Sequence, residues 1–310
     1  MDYLLLLKNF RNDTLNAILM TVTEFIASPV VYVGLAILYW CFNKSAAYFI
    51  AMNISVGNMV NQALKNTFCI YRPWIKNNMI KPVPAAMETA TGYSFPSGHT
   101  QVATSEFISI AVWQRKRKWL VAVCSIITLL VMFTRNYLGV HTPQDVVVSL
   151  FMTLIVIFLN GRILSWVDSQ KNRDWIVFGI GMAVSCMFLA YVTLKPYPID
   201  YTANGNILVD PKEMITDCYS AAGCVFGFLI GWICERKLLN FTTDVPKSTR
   251  IVRSIIGTAI LLAFVVLAME PIKSIHPYWG NLLFFAIAFI FILFIYPLLF
   301  TLWEKKSQRI

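Results

Sequence analysis

Charged residues are scarce in this chain of 310, at 14% against about 25% in a soluble domain. With 57% apolar residues and a mean hydropathy of +0.62, that scarcity excludes a soluble enzyme and a disordered chain. An integral membrane protein is left. Seven cysteines are present, but none forms a Cys-x-x-Cys pair or a metal-ligand spacing. A disulfide scaffold and a cysteine zinc site are therefore excluded, and the cysteines read as small buried hydrophobes. Histidine is rarer still, at three residues. The stretch Met1–Phe10 has a five-residue apolar core before Lys8 and Arg11, too short for a signal peptide, so no cleavage is expected. No internal repeat is apparent, which disfavours a transporter built on repeats.

What is present is a series of long apolar runs. A span needs about 20 mostly apolar residues. Nine runs qualify: Thr14–Phe42, Ser45–Asn66, His99–Trp113, Trp119–Asn136, Asp145–Ser165, Trp175–Leu194, Asp217–Cys234, Ile251–Glu270 and Gly280–Leu302. The first should break at Ser28–Pro29, since proline removes a helical hydrogen bond. The expectation is an all-α polytopic bundle of about nine transmembrane helices. It forms a single membrane domain over 1–310, with a catalytic core at 45–165 and additional helices at 175–310. Two long connections, Thr67–Gly98 and Lys195–Thr216, interrupt the pattern, and long loops in compact proteins are often functional.

The net charge of +10 and a pI near 9.3 could suggest nucleic acid as a partner. Membrane topology accounts for them better, so no nucleic-acid partner is expected. Cytoplasmic loops collect Lys and Arg, and Arg115-Lys116-Arg117-Lys118 is the clearest cluster. With that cluster inside and the spans alternating, the inner side holds 16 of the 26 bases and 5 of the 16 acids. The N-terminus then lies outside, the C-terminus inside, and both long loops on the outer face. Gly223, Gly227 and Gly231 are spaced four apart, which lets helices approach closely. Packing within the bundle and a homodimer seam are the two readings of that stripe.

His99 and His141 fall at outer span mouths, among cations on the same face. The segments are Lys65-x6-Arg72-Pro73, Pro96-Ser97-Gly98-His99 and Thr134-Arg135-x5-His141-x3-Asp145. Arginine offers a planar fork matched to phosphate oxygens, and lysine a compact charge. Pro96-Ser97-Gly98 sits at a helix start, where free backbone N–H groups favour an anion and glycine allows close approach. The cations would balance charge gathering on phosphoryl oxygens. Two histidines can divide nucleophilic attack from proton transfer. Asp145 could hold one imidazole nitrogen and leave the other free. Each part also has a plainer reading. Lys65 and Arg72 could snorkel at a helix end, and Ser97 could cap a helix. Asp145 could be the acid of a capping box begun by Thr142.

Taken together, these segments resemble the signature of the type 2 phosphatidic acid phosphatase (PAP2) superfamily, with Thr134 where the family usually has Ser. That family includes undecaprenyl-diphosphate, sphingoid-base phosphate and glucose-6-phosphatases. The resemblance covers residues 65 to 145. It implies a phosphatase with His141 as nucleophile, forming a phosphohistidine, and Asp145 orienting it. His99 protonates the leaving oxygen and then activates water. Lys65, Arg72 and Arg135 hold the phosphate, with Ser97 and Gly98 assisting. It also implies no metal and no cofactor, and sensitivity to vanadate. The expected substrate is a lipid phosphate monoester or diphosphate at the extracytoplasmic face, in a bacterial plasma membrane. The alternatives are a phosphatase of a soluble ester and, in another class, a non-catalytic lipid transporter or scramblase.

Two acids lie inside spans, Glu24 and Glu106. Such acids are functional suspects by default, with a structural hydrogen bond or a substrate contact as the two readings for Glu106. Tyr71, Trp74 and Tyr93 fit an aromatic belt or the lining of an acyl-chain entrance. His276 reads as a loop residue.

Overall fold

A computed structural model describes residues 1–26, 28–202 and 204–307. The C-terminal Arg309, one of the inner bases, lies outside them. Among the described residues no strand forms, only an isolated bridge between Tyr201 and Ile207. The helices are α1 Asp2–Lys8, α2 Asp13–Ile26, α3 Pro29–Cys41, α4 Lys44–Phe68, α5 Pro73–Lys76 and α6 Pro84–Glu88. Next come α7 Gly98–Ala103 and α8 Ser109–Trp113, joined by a π-helical turn at Thr104–Ile108. They are followed by α9 Lys118–Tyr137, α10 Pro143–Asp168, α11 Arg173–Leu194, α12 Pro211–Cys234, α13 Lys247–Lys273, α14 Trp279–Ile290 and α15 Tyr296–Ser307. The first apolar run does divide, with α2 ending at Ile26 and α3 beginning at Pro29.

The polarity of these helices is inverted relative to a soluble bundle. On α10, Phe151, Ile155 and Phe158 are 60% or more exposed, whereas Ser149, Thr153 and Val156 are buried. Exposed apolar side chains at i, i+4 and i+7 form one helical face. In water that face would aggregate, and in a bilayer it meets lipid. Among the described residues seven helical stretches are long and apolar enough, by length and composition, to cross a membrane, two fewer than the nine apolar runs. The two that fall short are α4, which carries Asn53, Ser55, Asn61, Lys65 and Asn66 buried, and the 98–113 stretch, which is short and interrupted by the π turn. Both form helices, but they spend their length on polar groups turned inward. Of the cysteines, Cys41, Cys124, Cys218 and Cys224 are buried as expected, while Cys186 is exposed.

The chain divides into two compact units interleaved in sequence. One comprises Met1–Val31, Val56–Leu159 and Val192–Asp217, and holds all three motif segments. In it α2, α7 and α9 pack together around Ile26, Ala103 and Val131. The other comprises Tyr32–Ser55, Asn160–Tyr191 and Cys218–Ile310. There a cavity of about 500 Å³ is edged by Lys44, Asp174, Glu235, Arg236 and Lys237. Its charges are mutually paired, as in Lys44 with Glu235 at 2.8 Å and Lys237 with Asp174 at 2.8 Å.

The glycine stripe of α12 belongs to this second unit and faces its own chain. A Cβ at Gly223 would lie 2.4 Å from the Leu282 carbonyl oxygen, at Gly227 2.5 Å from that of Ala286, and at Gly231 2.8 Å from the Leu293 Cβ. Of the two readings of Gly223, Gly227 and Gly231, packing within the bundle is the one the structure displays, because α14 and the turn after it occupy that surface in place of a homodimer partner. Gly227→Leu should lower stability by about 1–3 kcal/mol, the usual cost of overpacking, read as an earlier thermal transition in detergent.

Candidate active site

The third motif segment explains its own spacing. Helix α9 ends at Tyr137, and Gly139 follows with φ +79°, a left-handed conformation that glycine adopts without penalty. A Cβ there would also come within 2.6 Å of the Arg11 side chain. The turn reverses the chain, so the N–H groups of Val140 and His141 both reach the Arg135 carbonyl at 3.2 Å. Asn136 Nδ2 donates to the His141 carbonyl at 3.0 Å, and Arg11 Nε to that of Tyr137 at 2.7 Å. Five intervening residues thus bring His141 back to Arg135. The family departure at Thr134 is silent here, because its hydroxyl bonds the Val131 carbonyl of its own helix.

Arg72 joins this turn to the loop after α4. Its Nη1 donates to the Val140 carbonyl at 3.1 Å, Nη2 to Thr91 at 2.6 Å and Nε to Gly92 at 3.1 Å. Nη1 also lies 2.9 Å from His141 Nε2. Guanidinium can only donate. His141 Nε2 must therefore accept, which leaves the ring proton on Nδ1. Burial and then the charge of Arg72 hold the His141 imidazole well below its ordinary pKa, against the opposing pull of Asp145. The Nε2 lone pair is therefore directed at the Arg72 guanidinium. Burial, then Arg135, lowers Arg72 to about 9, and Asp145 opposes this.

His141 Nδ1 stands 3.5 Å from Asp145 Oδ2, an ion-pair distance that is long for a hydrogen bond. That same oxygen accepts from Ser94 Oγ at 2.6 Å and from the Thr142 N–H at 2.7 Å, and Thr142 Oγ1 accepts from the Asp145 N–H at 3.3 Å. The reciprocal pair is a capping box. One carboxylate thus closes the capping box of α10 and also stands 3.5 Å from the His141 ring.

The second motif segment docks beside it. Ser97 caps α7, accepting from the Thr100 N–H at 3.4 Å. Its own N–H donates to the Asp145 carbonyl at 3.1 Å, and its carbonyl accepts from Ser149 Oγ at 2.7 Å. A Cβ at Gly98 would meet nothing within 4 Å, so the helix start opens on free space. His99 Nε2 lies 3.5 Å from Glu24 Oε1. Lys65 is buried on the last turn of α4, where its charge bears on Asp217.

Arg135 carries the sharpest observation. Its side chain is fully buried, and Nε, Nη1 and Nη2 all lack a hydrogen-bond partner. The nearest acid is Glu24, at 4.0 Å. Leaving one buried donor unpaired costs about 1–3 kcal/mol, more for a charged group. A guanidinium with three such nitrogens is arranged for a ligand that brings acceptors.

Residues outside the motifs complete the frame. Tyr93 is buried against Val209 and Met214, and Tyr71 donates to Asp200, so neither is simply a belt residue. Trp74 packs against the cluster around Tyr137 and Leu138. Glu106 is 2% exposed with both oxygens unpaired, so no hydrogen-bond partner is found for it among the described residues. His276 Nδ1 accepts from the Tyr278 N–H at 3.1 Å, as a loop residue would. Asp200, Ser94, Arg11 and Asn136 had no signal in the sequence, since each acts through backbone geometry or a distant loop. Among the described residues no group of three His, Cys, Asp or Glu is placed to hold a metal. A cavity of about 620 Å³ opens beside Asp145, lined by Ile70, Tyr71, Phe95, Pro143 and Val148 among others.

Two family models match this chain, PAP2 superfamily over residues 44–173 and PAP2 superfamily phosphatase, transmembrane extension, over 219–308. The chain belongs to the PAP2 superfamily. The undecaprenyl-diphosphatase of Sulfolobus acidocaldarius is 25% identical over 165 residues, 53% of this chain and 77% of that protein. Undecaprenyl-diphosphatase BcrC of Bacillus subtilis is 29% identical over 154 residues, 48% and 74% of the two chains. Phosphatidylglycerophosphatase B of Escherichia coli is 30% identical over 95 residues, 30% and 34%. No solved structure matches significantly. The PAP2 match at 44–173 contains every motif residue named above.

Two glycines of this PAP2 site should separate packing from binding. Gly139→Ala should lower the thermal transition, through strain at positive φ and the clash with Arg11. Gly98→Ala should leave stability within about 0.5 kcal/mol and raise KM, since the methyl enters open space at the helix start. Thermal unfolding in detergent and steady-state kinetics read the two effects separately.

Proposed function

We propose that the chain hydrolyses a lipid phosphate monoester or diphosphate at the extracytoplasmic face, through a phosphohistidine on His141. The observation that carries this reading is the buried Arg135 guanidinium with its three nitrogens unpaired. A phosphoryl group supplies the acceptors it lacks. Arg72, Lys65 and the open α7 start at Ser97 and Gly98 extend the same anion site.

In the first step the His141 Nε2 lone pair attacks phosphorus. Arg72, which donates to that nitrogen without substrate, passes to a phosphoryl oxygen. The phosphorus–oxygen bond to the leaving group breaks, and His99 supplies its proton. Asp145 holds the Nδ1 proton and balances the imidazolium as it forms. In the second step His99 takes a proton from water, the water oxygen attacks phosphorus, and the phosphorus–nitrogen bond breaks. Phosphate leaves and both histidines return to their starting states. Fixed cations supply the charge balance that a metal would otherwise provide.

The lipid substrate class is supported by the names of the relatives and by the apolar lining of the cavity beside Asp145. The outward-facing site, N-terminus outside and C-terminus inside, is supported by the basic cluster at 115–118 and the inner excess of bases. A bacterial plasma membrane is the proposed setting.

Activity on undecaprenyl diphosphate and phosphatidylglycerophosphate should survive EDTA and fall with vanadate. Full loss in EDTA, restored by Mg²⁺ or Zn²⁺, would sink the reading. With ³²P-labelled substrate, His141→Ala should yield no acid-labile phosphoenzyme. His99→Ala should lose about 10²–10⁴-fold in turnover, less with nitrophenyl phosphate, and accumulate label. Labelling of His141→Ala but not of His99→Ala would reverse the assignment.

A further inference from the structure

Glu24 lies outside all three motif segments, yet one of its oxygens meets the site at three points. Oε1 is 3.5 Å from His99 Nε2 and 4.0 Å from Arg135 Nη1, and it accepts from Thr89 Oγ1 at 2.8 Å. The residue is carried by α2, which packs on α7 and α9, the helices that carry His99 and Arg135. Its side chain is 35% exposed, while those of His99 and Arg135 are 14% and 0% exposed. The carboxylate therefore stands at the rim, more exposed than either of the two site residues it faces.

The charges around His99 make this position consequential. Burial, then Arg135 from α9, and last Arg72 from the segment after α4 oppose a positive charge on its ring and hold its pKa below the ordinary value, while Glu24 from α2 is the acid that favours the charge. A proton donor must hold its proton until the leaving oxygen needs it. Beside two buried guanidiniums, a lone imidazole would surrender that proton. A carboxylate facing Nε2 stabilises the imidazolium and keeps a proton on that nitrogen, so Nδ1 is directed to the reacting oxygen.

We propose that Glu24 is a positioning residue of the phosphatase reaction, fixing the ring and the charge of His99 as Asp145 does for His141. The site is then two histidine–carboxylate pairs, one for the nucleophile and one for the proton donor. This rests on the role assigned to His99 above. The proton given to the leaving oxygen comes from His99 Nδ1, and the same nitrogen takes the proton of the attacking water. Nε2–H stays on Glu24 throughout, and Glu24 undergoes no net change. Thr89 holds the carboxylate in place.

The test compares wild type, Glu24→Gln, Glu24→Asp and Thr89→Val in detergent, by rapid-quench formation of acid-labile phosphoenzyme. A short-chain phosphatidic acid and nitrophenyl phosphate are the two substrates. Glu24→Gln should slow phosphorylation by the alkyl phosphate about 10- to 100-fold, below the full loss of a general acid. With nitrophenyl phosphate the loss should be much smaller, because that leaving group departs without a proton. The alkaline limb of kcat/KM should move to lower pH, since without the carboxylate His99 loses its proton sooner. Glu24→Asp should recover part of the rate. Thr89→Val should act in the same direction by about fivefold, one hydrogen bond's worth.

Equal losses with both substrates and an unmoved alkaline limb would overturn the Glu24 role alone, provided wild type forms phosphoenzyme. So would an unimpaired Glu24→Gln. Absence of phosphoenzyme in wild type would overturn the phosphohistidine reading, and the Glu24 role with it. If Glu24→Gln does not fold, Glu24→Asp and Thr89→Val decide by the same leaving-group comparison.

Discussion

Arg72 donates to the carbonyls of Thr91, Gly92 and Val140 and to the ring of His141. Those bonds tie the long loop after α4 to the turn after α9, two segments about seventy residues apart in sequence. They also settle the His141 tautomer, because a guanidinium cannot accept. Once Nε2 must accept, Nδ1 carries the proton, with Ser94 Oγ at 3.4 Å and Asp145 Oδ2 at 3.5 Å facing it. The orientation of the ring, the docking of the loop and the charge in the pocket thus depend on a single side chain. In the proposed reaction, substrate takes one of those bonds from Arg72 and leaves the other three to hold the frame.

The rest of the architecture makes such a pocket affordable. Polar groups face inward and apolar ones outward, as Ser149 and Thr153 against Phe151 and Ile155 on α10 illustrate. An interior of that kind can anchor loops by hydrogen bonds from Ser94, Ser149 and Asn136. It can also leave Arg135 unsatisfied. Several buried polar atoms in the same unit lack a hydrogen-bond partner, among them both Glu106 oxygens. Around Arg135 the unpaired nitrogens coincide with the Glu24 carboxylate that also faces His99 and with the turn that carries His141. That coincidence, more than any single residue, separates a ligand site from ordinary imperfect packing.

Capping and chemistry share atoms throughout this site. Asp145 closes the box that starts α10 and faces the His141 ring with the same oxygen. Ser97 caps α7 while its backbone bridges to Asp145 and Ser149. A residue that holds a helix end is held in turn by that end, which gives the pocket rigidity without extra side chains. In the proposed reaction, the helix ends place the proton-transferring groups as well as the anion site.

The sequence by itself determined the helical membrane class, the three charged segments, the family they resemble and the spacing of His141 and Asp145. Those are local properties: apolar runs need only composition, and a capping box or a left-handed glycine turn acts within a few residues. It also pointed to Glu24 as an acid in an apolar run, without saying what it faces. Only the tertiary structure decided which partners those residues take. It assigned Arg72 to the loop and turn carbonyls, Glu24 to His99 and Arg135, and the α12 glycines to α14 rather than to a second copy. It also turned the polar residues of α4 and the 98–113 stretch inward, the two apolar runs that fall short of the length and hydropathy of the seven membrane-crossing stretches among the described residues. Hydropathy registers how polar a segment is but not which side of the helix the polarity occupies. That side is set by packing between segments distant in the chain.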